Sequence, residues 1–492
     1  MTDADWTSVL PPILAIGLAI VSRQVILSLL AGIWLGYGLI SSGNPFTALA
    51  DGLDGIVAVL ADAGDARVIG FALVIGALIA VMEHTGGVRG FVAWLIGRRW
   101  VDGPRRAQWL AWWVGIVVFI ESNLTLLVAG AVSRPLFDRF GLSRERLAYL
   151  IDATSAPICI LIPLNAWGAF NLGLLGGTEV SDPVGVFLAA IPMNLYAIAA
   201  VLLAAASIQF DLLPGPMRAA EERARRGEVL RSGATPMVDP AVMASADEEG
   251  DPARAGFMVW PIVLLVLGVP MGLWLTGDGD MTAGSGSTSV LWAVCAGLTL
   301  AWVLALRAGE RMDNLMQISL RGAGALLPVA IILLLALALG DATRALGTGP
   351  FLAQVISDAF PTFALPALVF VVAAFTAFSI GSSWGTFAIT IPIAVPMALE
   401  LGLSPSVFLA AALSGGVFGD HASPISDTTV VASMAAATDH IDHVRTQLPY
   451  ALLAGLLAVL GFLILGTFAG ACATPGRADL SPSEPTENID RI

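Results

Sequence analysis

Long apolar runs separated by short polar loops cover most of this chain. The first set of runs falls near 9–22, 24–41, 67–85, 107–134, 146–166 and 184–210. The second falls near 257–275, 288–306, 322–341, 362–399, 405–437 and 447–470. Several reach the roughly 20 residues that an α-helix needs to cross a bilayer. Between the two sets lies 211–256, polar and rich in Arg, Glu and Pro (RAAEERARRGEVLRSG), which reads as a connector. The expected fold class is therefore an all-α polytopic membrane protein. A first membrane region occupies 1–210, the connector 211–256, a second membrane region 257–470 and a polar tail 471–492.

The two regions resemble each other in order. Ala31-Gly32 pairs with Ala296-Gly297, Phe91-x-Ala93 with Phe351-x-Ala353, and Ser122-x-x-Thr125 with Ser383-x-x-Thr386. Pro135 pairs with Pro396, GLS at 141–143 with GLS at 402–404, and SAPI at 155–158 with ASPI at 422–425. Six matches in one order, at offsets between 260 and 267, point to an internal repeat.

Arginine placement sets the sides, because cytoplasmic loops carry the excess of basic residues. Loop 42–66 holds Asp51, Asp54, Asp62 and Asp65 without a basic residue and is expected outside. Loop 86–106 holds Arg89, Arg98, Arg99, Arg105 and Arg106 and is expected in the cytoplasm. Arg134, Arg139, Arg144 and Arg146 follow, so a simple crossing at 107–134 would put a second basic cluster outside. A re-entrant hairpin resolves the conflict. Two legs of about 13 residues each rise about 20 Å and reach the bilayer centre. Its tip is expected at ESNLT, 121–125, and by the same count a second hairpin over 362–399 enters from outside with SIGSSWGT, 379–386, at its tip. Each region then holds about five crossings and one hairpin, an odd number of crossings that inverts the second repeat relative to the first. Both termini are expected outside the plasma membrane.

Composition narrows the function. The chain is 57% hydrophobic and 13% charged with mean hydropathy +0.83, which excludes an ordinary soluble domain. The net charge of −14 lies mostly in loops and tail, and gives no basic surface for nucleic acid. Cys159, Cys295 and Cys472 are too scattered for a disulfide framework or zinc site. The start, MTDADWTSVLPP, has no basic residue and lacks the n-region of a signal peptide. Thirteen Trp suit interfacial anchoring and packing.

The candidate chemistry lies where the apolar runs break. Ionisable groups are costly at membrane depth and by default mark an ion or substrate path. The run GGVFGDHASPISDTT places Asp420, His421, Ser423, Ser426, Asp427 and Thr428 around Pro424, and 33 residues at 405–437 are too many for one straight span. In the first region DATSAP places Asp152 before Pro157. A buried carboxyl group is biased toward its protonated form, so these groups suit exchange of H⁺ against Na⁺. Helix capping or ion pairing is the bland alternative. The tips add hydroxyl and amide oxygens: Ser122, Asn123 and Thr125 at the first, Ser382, Ser383 and Thr386 at the second. Such hard donors suit Na⁺; bonding to helix carbonyls is their structural alternative. Ser122, Asn123, Thr125, Ser383 and Asp427 make up the expected Na⁺ site. His421 and Glu121 are possible proton relays, while Glu83 and His84 fall at a span end. Asp439-His440-x-Asp442-His443 looks like a metal cluster in composition, but its helix–loop position favours a cap or regulatory role. No cofactor is expected, and no H-E-x-x-H or nucleophile–base arrangement suggests an enzyme.

GDHASPISDTT (419–429), DHIDHVRTQLPYAL (439–452) and GSSWGTFAITIPIA (381–394) resemble the NhaC family of sodium–proton antiporters, most strongly from about 375 to 452. The ESNLT tip is similar to the Ser-Asn-Thr tips of sodium–dicarboxylate carriers in the same wider superfamily. The resemblance implies a sodium site at Ser122, Asn123 and Thr125, an elevator-like motion and a homodimer. His421 stands where the better-known antiporters of the family carry Lys, and they lack the DHIDHVRTQLPYA continuation. The expected function is Na⁺/H⁺ antiport; the alternative is sodium-coupled movement of a small organic solute such as an amino acid or carboxylate, with Trp384, Asn165 and Asn171 near its cavity.

Overall fold

The computed structural model describes residues 5–22, 24–41, 44–87, 90, 102–119, 121–163, 165–236, 255–279 and 284–468. Arg89, Arg98 and Arg99, most of the connector's second half and the 471–492 tail lie outside the described residues. Every regular element among those described is helical.

The first membrane region contains α1 (Leu10–Ser22), α2 (Val25–Ile40), α3 (Pro45–Ala61), α4 (Ala63–His84), α5 (Pro104–Val117) and α6 (Ser122–Phe140). Three short helices follow, α7 (Arg144–Asp152), α8 (Ala156–Leu161) and α9 (Ala166–Gly176), then α10 (Pro183–Ala190) and α11 (Leu195–Phe210). The connector carries α12 (Gly215–Arg225). The second region contains α13 (Gly256–Thr276), α14 (Gly286–Arg307), α15 (Met312–Ala325), α16 (Leu327–Ala345) and α17 (Thr348–Ala359). It ends with α18 (Leu365–Ile380), α19 (Ser383–Glu400), α20 (Pro405–Ala422), α21 (Asp427–Ala435) and α22 (His440–Phe468). Among the described residues seven helices are long and apolar enough to cross a membrane, or up to nine if each of two bent pairs counts as one span.

Three local outcomes differ from the sequence pattern. Residues 45–61, expected as loop, form α3 because Asn44 caps the Phe46 amide and Pro45 occupies the first turn. Its aspartates interrupt the apolar run and hide a helix whose Ala48, Gly52, Gly55 and Val59 face inward. The span expected at 322–341 is two helices, α15 and α16, divided where Pro328 enters the first turn of α16. Finally, α1 and α2 have 13 and 16 residues, about 20 and 24 Å, short of the ~30 Å hydrocarbon thickness as straight helices. They pack on each other, and Val25 at their turn lies against Gly385 in α19.

The functional region is assembled from two helical pairs and two broken helices. α5 packs on α6 and α18 on α19, each pair joined by a short turn. At the second turn Gly381 has φ +74, the left-handed conformation that glycine adopts without a Cβ clash. α20 and α21 form one broken helix; α7, α8 and α9 form the other, interrupted twice. α6 packs along α21, so an element of the first region meets the break of the second. Burial is near complete here: all nine residues of α7 and 16 of 18 in α20 are buried.

Candidate functional site

The break between α20 and α21 is fixed by local chemistry. Pro424 has no amide hydrogen to continue the helix. Ser423 Oγ donates to the Phe378 carbonyl at 2.7 Å, docking the break onto α18, and Ser426 Oγ accepts from the Thr429 amide at 3.3 Å to cap α21. Close approach of α18 needs a glycine at 419: a Cβ there would sit 2.1 Å from the Ala374 carbonyl oxygen.

This packing brings the second tip to the carboxylate before the break. Ser383 Oγ donates to Asp420 Oδ2 at 2.8 Å and lies 3.2 Å from the Gly416 carbonyl oxygen. Asp420 is 1% exposed, and its Oδ1 is buried without a hydrogen-bond partner. Asp427 is different from the sequence expectation of a buried carboxylate. As the first residue of α21 it projects from the helix end, crowded by protein yet exposed at its tip, within electrostatic reach of Asp420 and Glu121. Its Oδ1 accepts from the Thr428 amide at 2.8 Å, as suits a carboxylate at a helix N-terminus.

At the first tip, Ser122 Oγ and Asn123 Nδ2 donate to Glu121 Oε1 at 3.1 and 3.2 Å. Asn123 Oδ1 is buried with no partner. Thr125 Oγ1 is directed to the Val118 and Glu121 carbonyls and holds the turn closed. Ser382 and Thr386 also act within the backbone: Ser382 Oγ caps the Gly385 amide, and Thr386 Oγ1 donates to the Ser382 carbonyl. Ser426 Oγ and Thr428 Oγ1 lie 3.0 Å apart beside Asp427.

Asp152 ends α7 and is 1% exposed. Its Oδ2 accepts from Thr429 Oγ1 at 3.1 Å and Gln447 Nε2 at 2.7 Å, linking the break of the first region to α21 and α22. His421 Nε2 and His443 Nε2 lie 3.8 and 3.9 Å from the same oxygen. His421 Nδ1 pairs with Tyr196 OH at 2.6 Å. Thr429, Gln447 and Tyr196 were not singled out from the sequence. Thr429 and Gln447 stand beside other polar residues and Tyr196 lies in an apolar run, and each has a partner more than 220 residues away.

The other candidates have separate partners. Glu310 Oε1 lies 3.2 Å from His84 Nε2. The four members of the Asp439–His443 cluster diverge: Asp439 accepts from the Thr235 amide, Asp442 pairs with Arg231, and the two histidines turn toward Ser433. No group of three or more His, Cys, Asp or Glu among the described residues could hold a metal ion. Trp384, beside Ser383, packs on Trp167 and Phe170 with ring centroids 4.9 Å apart in each case. Asn165 caps the Gly168 amide, whereas Asn171 Nδ2 donates to the Trp167 carbonyl and its Oδ1 is buried without a partner.

A sequence profile for a Na⁺/H⁺ antiporter family matches residues 171–467, more than half of the chain and nearly all of the region that carries Ser383, Asp420 and Asp427. The chain belongs to that Na⁺/H⁺ antiporter family. This family member is 31% identical to an uncharacterized protein of Haemophilus influenzae over 95% of its own length and 92% of that protein. It is 29% identical to the arginine/ornithine antiporter ArcD of Halobacterium salinarum, over 45% of its own length and 44% of that chain. A shorter match, 34% identical over 18% of the family member and 19% of the relative, is to the malate-2H(+)/Na(+)-lactate antiporter of Bacillus subtilis. Two crystal or solved transporter structures share the fold. The YdaH transporter of Alcanivorax borkumensis aligns with TM-score 0.55 at 17% identity, over 86% of this chain and 90% of that one. MtrF of Neisseria gonorrhoeae aligns with TM-score 0.53 at 14% identity, over 87% of each. The chain is a multi-pass membrane transporter of the Na⁺/H⁺ antiporter family, with every described element helical.

Proposed function

We propose that this transporter exchanges Na⁺ for H⁺, with Asp420 and Asp427 as the groups at which the two cations compete. The observation that carries the reading is Asp420 itself. It is buried, one oxygen is held by Ser383 from the opposite helical turn, and the other oxygen has no partner. A buried carboxylate oxygen left unpaired is costly, and a cation or a proton removes that cost. Ser383, Asp427 and the first tip's Ser122, Asn123 and Thr125 supply the remaining hard oxygens for Na⁺ as cargo. Thr125 donates its hydroxyl hydrogen to the turn carbonyls, which leaves the lone pairs of Oγ1 for a cation.

In this reading the α5–α6 and α18–α19 pairs are re-entrant hairpins of two inverted repeats, and the broken helices expose cation-binding ends near the membrane centre. Bound Na⁺ or H⁺ removes one negative charge from the site and lets it pass between the two sides in an elevator-like motion. The unloaded, charged site is held back by the cost of carrying bare charge across hydrocarbon. One-for-one competition at a shared site is sufficient for exchange.

The packed aromatic cluster of Trp167, Phe170, Trp384 and Phe387 favours a second reading, in which a small organic solute is co-transported or exchanged. Trp167 Nε1 is buried there without a partner and could bind a solute oxygen.

Thermal unfolding of purified protein in Na⁺ against N-methylglucamine separates these. A ligand that binds the folded state stabilises by about 2.7 kcal/mol at a hundredfold excess over Kd. Na⁺ alone should raise the melting temperature of the wild type and not of Asp420→Asn. Equal melting in both salts, with a rise only when an amino acid or carboxylate is added, would replace the first reading by the second.

A further inference from the structure

We propose that Ser433, His440 and His443 form a buried proton-binding site, in which one proton is shared between the two imidazoles through the serine hydroxyl. The argument is an inventory of hydrogens. His440 Nε2 lies 2.7 Å from the Pro424 carbonyl oxygen, which can only accept, so this nitrogen carries hydrogen. Gln447 Nε2 faces two acceptors, Asp152 Oδ2 and the His421 carbonyl, both at 2.7 Å. That fixes the amide orientation and turns Gln447 Oε1 toward His443 Nε2 at 2.8 Å. His443 Nε2 must therefore carry hydrogen as well.

In the neutral rings both Nδ1 atoms are then bare lone pairs. They converge on a single hydroxyl: Ser433 Oγ lies 3.0 Å from His440 Nδ1, 2.9 Å from His443 Nδ1 and 2.8 Å from the Thr429 carbonyl oxygen. Ser433 has one hydrogen for three acceptors. Ser433 and His443 are fully buried, so water does not make up the difference. One added proton closes the chain. His440 Nδ1–H donates to Ser433 Oγ, and the Ser433 hydroxyl donates to His443 Nδ1. Moving the first hydrogen onto Ser433 and the second onto His443 carries the charge across without any change in the hydrogen count. Thr429, inside α21, retains its carbonyl for the helix ladder.

Burial opposes a charged His443, and the carboxylates around it act against that penalty. Asp152 on α7 lies 3.9 Å from His443 Nε2, and Asp427 begins the helix that carries Ser433. Asp439 immediately precedes α22 and Asp442 lies in its first turn, with Arg231 of the connector paired to Asp442 and Arg445 exposed on α22. His421 on α20 is the nearest further imidazole, its Nε2 3.8 Å from Asp152 Oδ2, and Arg144 of α7 donates to the Ala437 carbonyl between α21 and α22. His440 is only partly buried and is the ring that solvent reaches. This proton is distinct from the one that competes with Na⁺ at Asp420, and its effect on transport rests on the exchange reading above. Na⁺ arriving near Asp420 and Asp427, and the proton held behind Asp152, repel each other across one network, so the site sets the pH at which exchange runs.

The test uses ¹⁵N-histidine-labelled full-length protein in nanodiscs; the four histidines give a resolvable imidazole spectrum, assigned with His84→Gln and His421→Gln. The wild type should show His440 and His443 taking up one proton between them from pH 8 to 5. Loss of one charge-assisted hydrogen bond shifts such a midpoint by about 1–2 pH units. Ser433→Ala should lower the midpoint by that much, and Ser433→Thr, which keeps the hydroxyl, should restore it. Rings that stay neutral to pH 5 in the wild type, or a midpoint unmoved in Ser433→Ala, would overturn the site. If Ser433→Ala does not fold, the wild-type and Ser433→Thr titrations decide. Proton uptake without Na⁺-driven flux would keep this site and remove the exchange reading; flux without titration would do the reverse.

Discussion

Gly419→Ala tests whether packing of α18 against α20 sets the geometry at Asp420. The new Cβ would stand 2.1 Å from the Ala374 carbonyl oxygen and 2.7 Å from Ala377 Cβ, both on α18. Neither neighbour is a flexible side-chain end, so α18 must retreat by about 1 Å to reach an ordinary contact, with overpacking of this kind costing about 1–3 kcal/mol. Ser383 is tied to α18 through the two-residue turn at Gly381, and its 2.8 Å bond to Asp420 is stretched by the same displacement. Misplacement by about 1 Å can cost a hundredfold in a positioned site. Purified Gly419→Ala should therefore melt at lower temperature and show a Na⁺-dependent flux in proteoliposomes down by about ten- to a hundredfold. Gly324→Ala is the control, because a Cβ at Gly324 meets nothing within 4 Å and alanine is the better helix former by about 1 kcal/mol. Wild-type melting and flux from Gly419→Ala would refute the reasoning.

Other expectations are direct. Gln447→Leu strips Asp152 and the His421 carbonyl of their 2.7 Å donor, and each stranded buried acceptor should cost about 1–3 kcal/mol; an unchanged melting temperature would show that the network bears no such weight. Asp439 is partly desolvated, which raises its pKa, but amides of Thr235, Asp442 and Ile441 together with Arg231 outweigh that and hold it below the ordinary aspartate value. A depressed folded pKa makes its contribution present above the unfolded value and lost as pH falls through the folded one. The Thr235 amide should accordingly stay protected from hydrogen exchange at neutral pH and open only below the usual carboxylate range; opening near pH 6 would contradict this. In a background without Cys159, Cys295 and Cys472, Gly64→Cys should label with an impermeant reagent from outside and Pro104→Cys only from inside, and the reverse pattern would overturn the assigned sides.

The all-helical membrane fold was legible because it rests on apolar run length, a property of composition along the chain. Local breaks were also legible where proline and glycine mark them, as at Pro424 and Gly381. Helix α3 was not, since Asp51 and Asp54 break the apolar run while leaving one small-residue face intact. Within the site, Ser383 and Asp420 were each visible as polar groups among apolar ones, but their 2.8 Å contact depends on how α18 packs on α20. The apolar context of Asp427 suggests burial, whereas its place at a helix start turns it outward. Gln447 opens a long apolar run, where a polar residue looks like a span end. His443 is its i−4 neighbour on the same helix, but Asp152 and His421 come from two other helices, a convergence that no local pattern encodes.

The central claim is that Na⁺ and H⁺ compete at Asp420, and its most direct test is proton movement in proteoliposomes under an imposed Na⁺ gradient with no organic solute present. Wild-type protein should move protons against the Na⁺ flow, and Asp420→Asn, which keeps side-chain shape and an oxygen for Ser383, should remain folded and move none. Wild-type flux from Asp420→Asn, or no proton movement from correctly inserted wild-type protein, would contradict the account.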